Sequence, residues 1–159
     1  MSGEVESIMP FYADLAVYNR HGRLIALVEI KNKSGTSRTW ATGLRHNRLA
    51  HGEDPQADFF LLVTPDTLYL WKNAAPCLDE PTYVIDAQPL FAPYYARAGM
   101  EGRVRSRYAF ELLVAGWLSD LLRADIPLEQ LANGQQWLIT SGFFQAVRDG
   151  HIVDDAVRV

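Results

Sequence analysis

Residues 13–33, ADLAVYNRHGRLIALVEIKNK, decide the fold. Two apolar runs flank a polar turn, Asn19-Arg20-His21-Gly22-Arg23. A Gly beside a polar residue between two such runs signals a β-hairpin. With His21 and Gly22 as a two-residue loop, Arg20 pairs with Arg23 and Asp14 falls directly opposite Glu29. Side chains alternate along a strand, so Glu29 and Lys31 share a face. Directly opposed residues share a face as well, with Cβ atoms about 5 Å apart. Two carboxylates and an ammonium therefore converge on one patch, unless a bulge or a longer loop shifts the register.

Outward from the hairpin, the first strand spans residues 11–18 and the second spans 24–31. Leu24 to Val28 is apolar throughout, which is the mark of a strand buried on both faces and hence central. Residues 1–10 are polar, an arm or the end of a short helix. After the hairpin, Ser34-Gly35 marks a break and Thr36 or Ser37 is placed to cap a helix. Trp40, Ala41, Leu44 and Arg48 follow helical spacing, and Gly52 is placed to end it. In this helix Trp40, Ala41 and Leu44 face the sheet, while Arg38, Arg45 and Arg48 cluster near a more exposed side.

FFLLV at 59–63 is a second continuous apolar strand, TPDT at 64–67 a turn, and LYLWK at 68–72 the returning strand. TYVIDA adds a short edge strand. Strand, helix and buried strand form a crossover unit, so the class is α/β with a mixed sheet flanked by helices. From Pro89 the texture changes. LFAPYYARAGMEGRVRSR reads as a linker or a packed irregular segment. A helix follows over 107–123 with a stripe of Leu112, Leu113, Gly116, Trp117, Leu121 and Leu122. Ile126-Pro127 ends it, and a last helix is expected over 135–147. The reading is one structural domain, a core over 1–100 with a C-terminal helical extension over 101–159 packed on it.

Composition bounds the class. Hydrophobic content of 48% with 21% charged residues is that of a globular protein. No apolar run approaches the roughly 18 residues a spanning helix needs. The N-terminus lacks a basic region, so no secretory signal is expected. The single cysteine, Cys77, fits a reducing, cytoplasmic setting and reads as an incidental thiol. The net charge of −4 argues against a general nucleic-acid binder, but its distribution is uneven. Residues 19–51 hold seven Lys/Arg against one acid, Glu29, whereas residues 52–102 hold two against eight acids. Positive charge concentrated around a carboxylate pair suits a polyanion.

Paired carboxylates are oxygen donors suited to Mg²⁺ or Mn²⁺, and a half-buried pair repels itself without a cation. Lys31 on the same face could position or deprotonate an attacking water, or stabilise developing charge. The Ile30 carbonyl could be a further ligand.

Asp14 in FYADLAVY, then Glu29 and Lys31 in LVEIKNK, resembles the PD-(D/E)XK nuclease superfamily, the restriction-endonuclease-like fold. The following TSRTWATGLRHNRLA and FFLLV also resemble that family's core, over roughly residues 10–72. The resemblance implies Mg²⁺-dependent (or Mn²⁺-dependent) hydrolysis of phosphodiester bonds in DNA, in the manner of modules from bacterial restriction and defence systems. It implies Asp14 and Glu29 as metal ligands, with the Ile30 carbonyl, and Lys31 as the catalytic lysine. Lys33, Arg38, Arg45 and Arg48 would hold phosphates. Three features depart from the pattern. Ala13 stands where the family's namesake Pro precedes the Asp. Only about ten residues precede the first strand, where the family has a helix that often donates another acid, so Glu4 or Glu6 are the candidates for that role. The helix after Lys31 lacks a Gln-x-x-x-Tyr pattern. A second reading is a catalytically inactive module of the same fold that serves nucleic-acid binding or assembly. Dimerisation through the Trp117 stripe, or docking into a larger complex through the C-terminal helices, would accompany either.

The remaining candidates have plainer readings. His46 and His51 do not share a helical face, His21 is a turn residue, and His151 with Asp154-Asp155 lies in a polar tail. Trp40, Trp71, Trp117 and Trp137 sit in apolar patterns, as core residues do. Arg103, Arg105 and Arg107 alternate in an extended stretch, suited to phosphate contact or to a solvated linker.

Overall fold

A computed structural model describes residues 11–50, 57–73, 80–99, 106–123 and 135–158. Strands β1 (Phe11–Tyr18) and β2 (Leu24–Ile30) form the expected hairpin. Helix α1 (Arg38–Ala50) crosses to β3 (Phe59–Val63), which runs parallel to β2. Strands β4 (Thr67–Lys72) and β5 (Tyr83–Asp86) follow in antiparallel pairing. Helices α2 (Gln88–Ala98), α3 (Arg107–Leu122), α4 (Trp137–Thr140) and α5 (Phe143–Val147) precede a last strand, β6 (His151–Arg158). The six strands lie in the order β5-β4-β3-β2-β1-β6. The class is therefore α/β with a mixed sheet, β2 and β3 are central, and β5 is an edge.

Alternation along the central strands builds two cores, one on each face of the sheet. Leu27, Phe60, Leu62, Tyr69 and Trp71 point to the α1 side, with Ala16 and Ala41. Val28, Ile30, Phe59, Leu61, Leu68 and Leu70 point to the other side, where α2 to α5 cover them. That both faces are covered explains why LIALV and FFLLV carry no polar residue. Each such side chain contributes about 1.5–3 kcal/mol when fully buried. Helix α1 starts where the Ser37 hydroxyl accepts from the Trp40 N–H at 3.1 Å, a cap worth about 1 kcal/mol.

Outside the hairpin and α1, the structure differs from the sequence reading in four places. The irregular segment after Pro89 is helix α2. Pro89 sits in its first turn, where an N–H has no helical partner anyway. Pro93 lies inside and forfeits one hydrogen bond, offset by burial of Leu90, Phe91 and Tyr95. Phe91 meets Phe110 and Trp117 edge-on, each at 5.8 Å between ring centroids. Second, the helix expected over 135–147 breaks into α4 and α5, because Gly142 takes a left-handed conformation with φ of 84°.

Third, the polar tail is a strand. β6 pairs antiparallel with β1 from Tyr18 opposite His151 to Phe11 opposite Arg158, and the Tyr18 and His151 rings stack at 5.5 Å. The segment after residue 101 is thus not a purely helical extension: it re-enters the sheet. Fourth, the α3 stripe is rotated. Phe110, Leu113, Val114, Trp117, Leu118, Leu121 and Leu122 are buried, and Leu112 is exposed. Trp117 packs within its own core and is not available as a dimer contact. The other three tryptophans also pack against aromatic neighbours, Trp40 partly buried on Tyr69. Glu4, Glu6, His51, Gly52, Cys77, Arg103, Arg105, Ile126 and Pro127 lie outside the described residues.

Candidate active site

The β1–β2 hairpin reaches the expected register by a different route. The Asn19 side chain accepts from the N–H groups of His21 and Arg23, each at 2.9 Å. Asn19 N–H donates to the Arg23 carbonyl at 2.9 Å, and Gly22 takes φ of 82°. The loop is therefore the three residues Arg20, His21 and Gly22, which sets Tyr18 opposite Leu24 rather than Ile25. A bulge between that pair and Val17 opposite Ala26 returns the lost residue. From there to Leu15 opposite Val28 the register is the one the two-residue loop predicts. The paired ladder ends there, and Asp14 is the next residue along β1.

At that step a side chain replaces the ladder. Asp14 Oδ2 accepts from the Ile30 N–H at 2.6 Å. On the other side of β2, the Lys31 N–H donates to the Val63 carbonyl at 2.9 Å. Asp14 is thus tied to the Glu29-Ile30-Lys31 main chain, and the strand end is pinned between β1 and β3.

Each carboxylate has cationic partners. Glu29 Oε1 lies 3.0 Å from Arg48 Nη1, and Oε2 lies 3.2 Å from Lys31 Nζ. The Glu29 and Arg48 side chains are only 14% and 11% exposed. Asp14 Oδ1 lies 3.2 Å from Arg107 Nη2, whose side chain is 59% exposed. Arg107 Nε also donates to Glu111 Oε2 at 2.7 Å. That hydrogen bond, followed by the Asp14 charge, raises the Arg107 pKa further above its ordinary value, so the guanidinium is permanently charged.

The basic residues divide. Lys33 and Arg38 are exposed. Lys33 Nζ sits 5.4 Å from the Trp40 ring centre. Arg38 reaches the Pro81 carbonyl at 3.1 Å and Glu80 at 3.4 Å. Arg45 and Arg48 do not lie on an exposed side, contrary to the sequence reading. Arg45 is buried, with Nη2 on Asn73 Oδ1 at 3.1 Å. The two guanidinium carbons lie 4.5 Å and 5.1 Å from the Phe60 ring centre. Positions 41, 45 and 48 fall on one helical face, and Phe60 offers that face a flat π surface on which guanidinium groups rest favourably.

Asp14 and Glu29 suit a hard cation. Mg²⁺ is commonly held by one or two carboxylates, keeping several waters and taking substrate phosphate oxygens. Both side chains retain solvent access, 15% for Asp14 and 14% for Glu29. Each carboxylate oxygen also has more acceptor capacity than the single contact described for it uses. Among the described residues, no group of three or more His, Cys, Asp or Glu is placed to hold a metal. A cation at this position would draw on the pair, with water, phosphate or the Ile30 carbonyl as further oxygen donors.

The sequence brought Asp14, Glu29, Ile30 and Lys31 together, and so does the fold. It did not connect Arg107 with Asp14, 93 residues apart, nor assign Arg48 to Glu29. The spacing of Ala41, Arg45 and Arg48 on one helical face was the signal for the second. No local signal existed for the first. No helix among the described residues is long and apolar enough to cross a membrane. No protein-family model, curated protein or solved structure matches the chain.

Proposed function

We propose that the chain is a metal-dependent nuclease with a restriction-endonuclease-like core, hydrolysing phosphodiester bonds in DNA. One observation carries this reading: Asp14 of β1 and Glu29-Ile30-Lys31 of β2 meet at one end of the sheet, joined by the 2.6 Å hydrogen bond from the Ile30 N–H to Asp14. Asp14, Glu29 and the Ile30 carbonyl would hold Mg²⁺ or Mn²⁺, with Glu6 as the candidate for another acid. When bound, the ion would polarise the phosphoryl group and ease attack by water. Arg48 holds Glu29 in one orientation. Lys31, 37% exposed and 3.2 Å from Glu29, would position or deprotonate the attacking water, or stabilise charge on the phosphate. Lys33 and Arg38 are exposed cations for flanking phosphates. Arg45 and Arg48, committed to Asn73, Phe60 and Glu29, act on the scaffold instead.

A second reading is favoured by one feature. Both carboxylates already carry guanidinium partners, as they would in an inactive module that keeps the fold and binds nucleic acid. Cleavage of plasmid and single-stranded DNA with Mg²⁺ or Mn²⁺ separates the two. The nuclease reading requires metal-dependent cutting that Glu29→Ala and Lys31→Ala both abolish. DNA binding without cutting, indifferent to both substitutions, would establish the module.

A further inference from the structure

We infer that Arg107 is a phosphate-binding residue that also gates the metal position, leaving Asp14 for a phosphate of the nucleic acid and so uncovering the ligand oxygen. This rests on the nuclease reading above.

The two oxygens of Asp14 are not equivalent. Oδ2 is committed to the Ile30 N–H at 2.6 Å, inside the sheet. Oδ1 is the oxygen that Arg107 Nη2 reaches, at 3.2 Å, from the first turn of α3. A divalent cation and a guanidinium cannot share Oδ1, because like charges at contact distance repel. In the free protein Arg107 therefore competes with the cation for Asp14.

The competitor is built to move. Its side chain is 59% exposed, whereas Arg48 on Glu29 is 11% exposed and rests on Phe60. Glu111, one helical turn along α3, holds Arg107 Nε at 2.7 Å by a contact that does not involve Asp14. Nη2 can therefore swing off Asp14 while Nε stays anchored on Glu111. A guanidinium swung in this way keeps donors at the mouth of the site in the fork geometry that matches phosphate. A phosphate arriving there takes Arg107, Asp14 Oδ1 is released, and the cation gains its ligand. Metal and nucleic acid would then bind with positive coupling, each favouring the other.

The test is direct binding rather than cleavage. Mn²⁺ alone is titrated calorimetrically into the wild-type protein, Arg107→Ala, Arg107→Lys and Asp14→Asn. A short DNA duplex is titrated separately in the presence of EDTA. Arg107→Ala should bind Mn²⁺ more tightly, by up to about fivefold, the ceiling set by an exposed ion pair. Arg107→Lys, which keeps a cation beside Asp14, should stay near wild type. Asp14→Asn should lose the site. In the metal-free arm, Arg107→Ala should bind DNA more weakly and with a salt slope reduced by about one. If Arg107→Ala binds either ligand as wild type does, while Asp14→Asn still removes a wild-type Mn²⁺ site, the gate is refuted and the metal reading stands. If no variant binds Mn²⁺, the metal reading fails and the gate fails with it.

Discussion

The pair of Glu29 with Arg48 supports a quantitative prediction. The ion pair spans 3.0 Å, with side chains 14% and 11% exposed. Removing one partner of a fully buried pair costs about 3–5 kcal/mol, because the other charge is left in a poor solvent. Here the residual exposure, the Phe60 ring under Arg48 and Lys31 on the second oxygen all soften the loss. Glu29→Gln and Arg48→Met, which keep shape and lose charge, should each cost about 2 kcal/mol. In a chain of this length that is a fall in Tm of about 4–8 °C. The double variant should cost little more than either single one, so the coupling energy should be about 1.5–2 kcal/mol. Urea unfolding of the four proteins measures it. The same cycle on Asp14 and Arg107, where the arginine is 59% exposed, should give less than about 1 kcal/mol. If the Glu29 and Arg48 effects add to within about 0.3–0.5 kcal/mol, Arg48 does not hold Glu29, and its assignment to the scaffold is wrong.

Two glycines should respond oppositely to alanine. A Cβ at Gly150 would run into the Tyr18 carbonyl and lie 3.0 Å from the Val147 carbonyl, so Gly150→Ala must push β6 off β1; thermal unfolding should show a loss of about 2 kcal/mol or more. A Cβ at Gly43, mid-helix in α1, meets nothing within 4 Å, so Gly43→Ala should gain about 0.5–1 kcal/mol in the same assay. Tyr94 contributes to alkaline behaviour. Burial, then the hydrogen bond to Asp120 and its charge, raise the Tyr94 pKa, with Arg97 opposing. A folded-state pKa above the unfolded value stabilises below the unfolded pKa, about 10 for tyrosine, and that stability drains as pH climbs from there. Urea unfolding across this range should show a fall above about pH 10 that Tyr94→Phe flattens, and an equally steep fall in Tyr94→Phe would dismiss the assignment.

The hairpin shows how a right expectation can rest on a wrong detail. A two-residue loop and a straight ladder place Leu15 opposite Val28, the register that the strands adopt. The chain instead makes a three-residue loop, because the Asn19 side chain caps the turn and Gly22 takes a positive φ, and then a bulge that restores the count. Burial of alternate residues on both faces enforces that restoration, since a one-residue slip would turn Glu29 into the core. Helix α2 went unread because two prolines suppress a local helical signal that Leu90, Phe91 and Tyr95 supply only once a core exists to receive them.

By itself, the sequence determined what depends on neighbours along the chain. Continuous apolar runs specify buried central strands, an apolar run leading into Glu29-Ile30-Lys31 places an acid and a lysine on one face at a strand end, and Ser37 starts α1. Tertiary structure alone decided what depends on contacts between distant segments. β6 is half polar and becomes a strand because β1 offers it a free ladder of main-chain groups. Arg45 is buried and Arg48 half-buried because Phe60, on another element, gives their charge a surface to rest on. Arg107 meets Asp14 because the packing of α3 brings its first turn beside β1. The carboxylate pair and Lys31 were legible in a few residues, while the arginine partners of each carboxylate were set by packing.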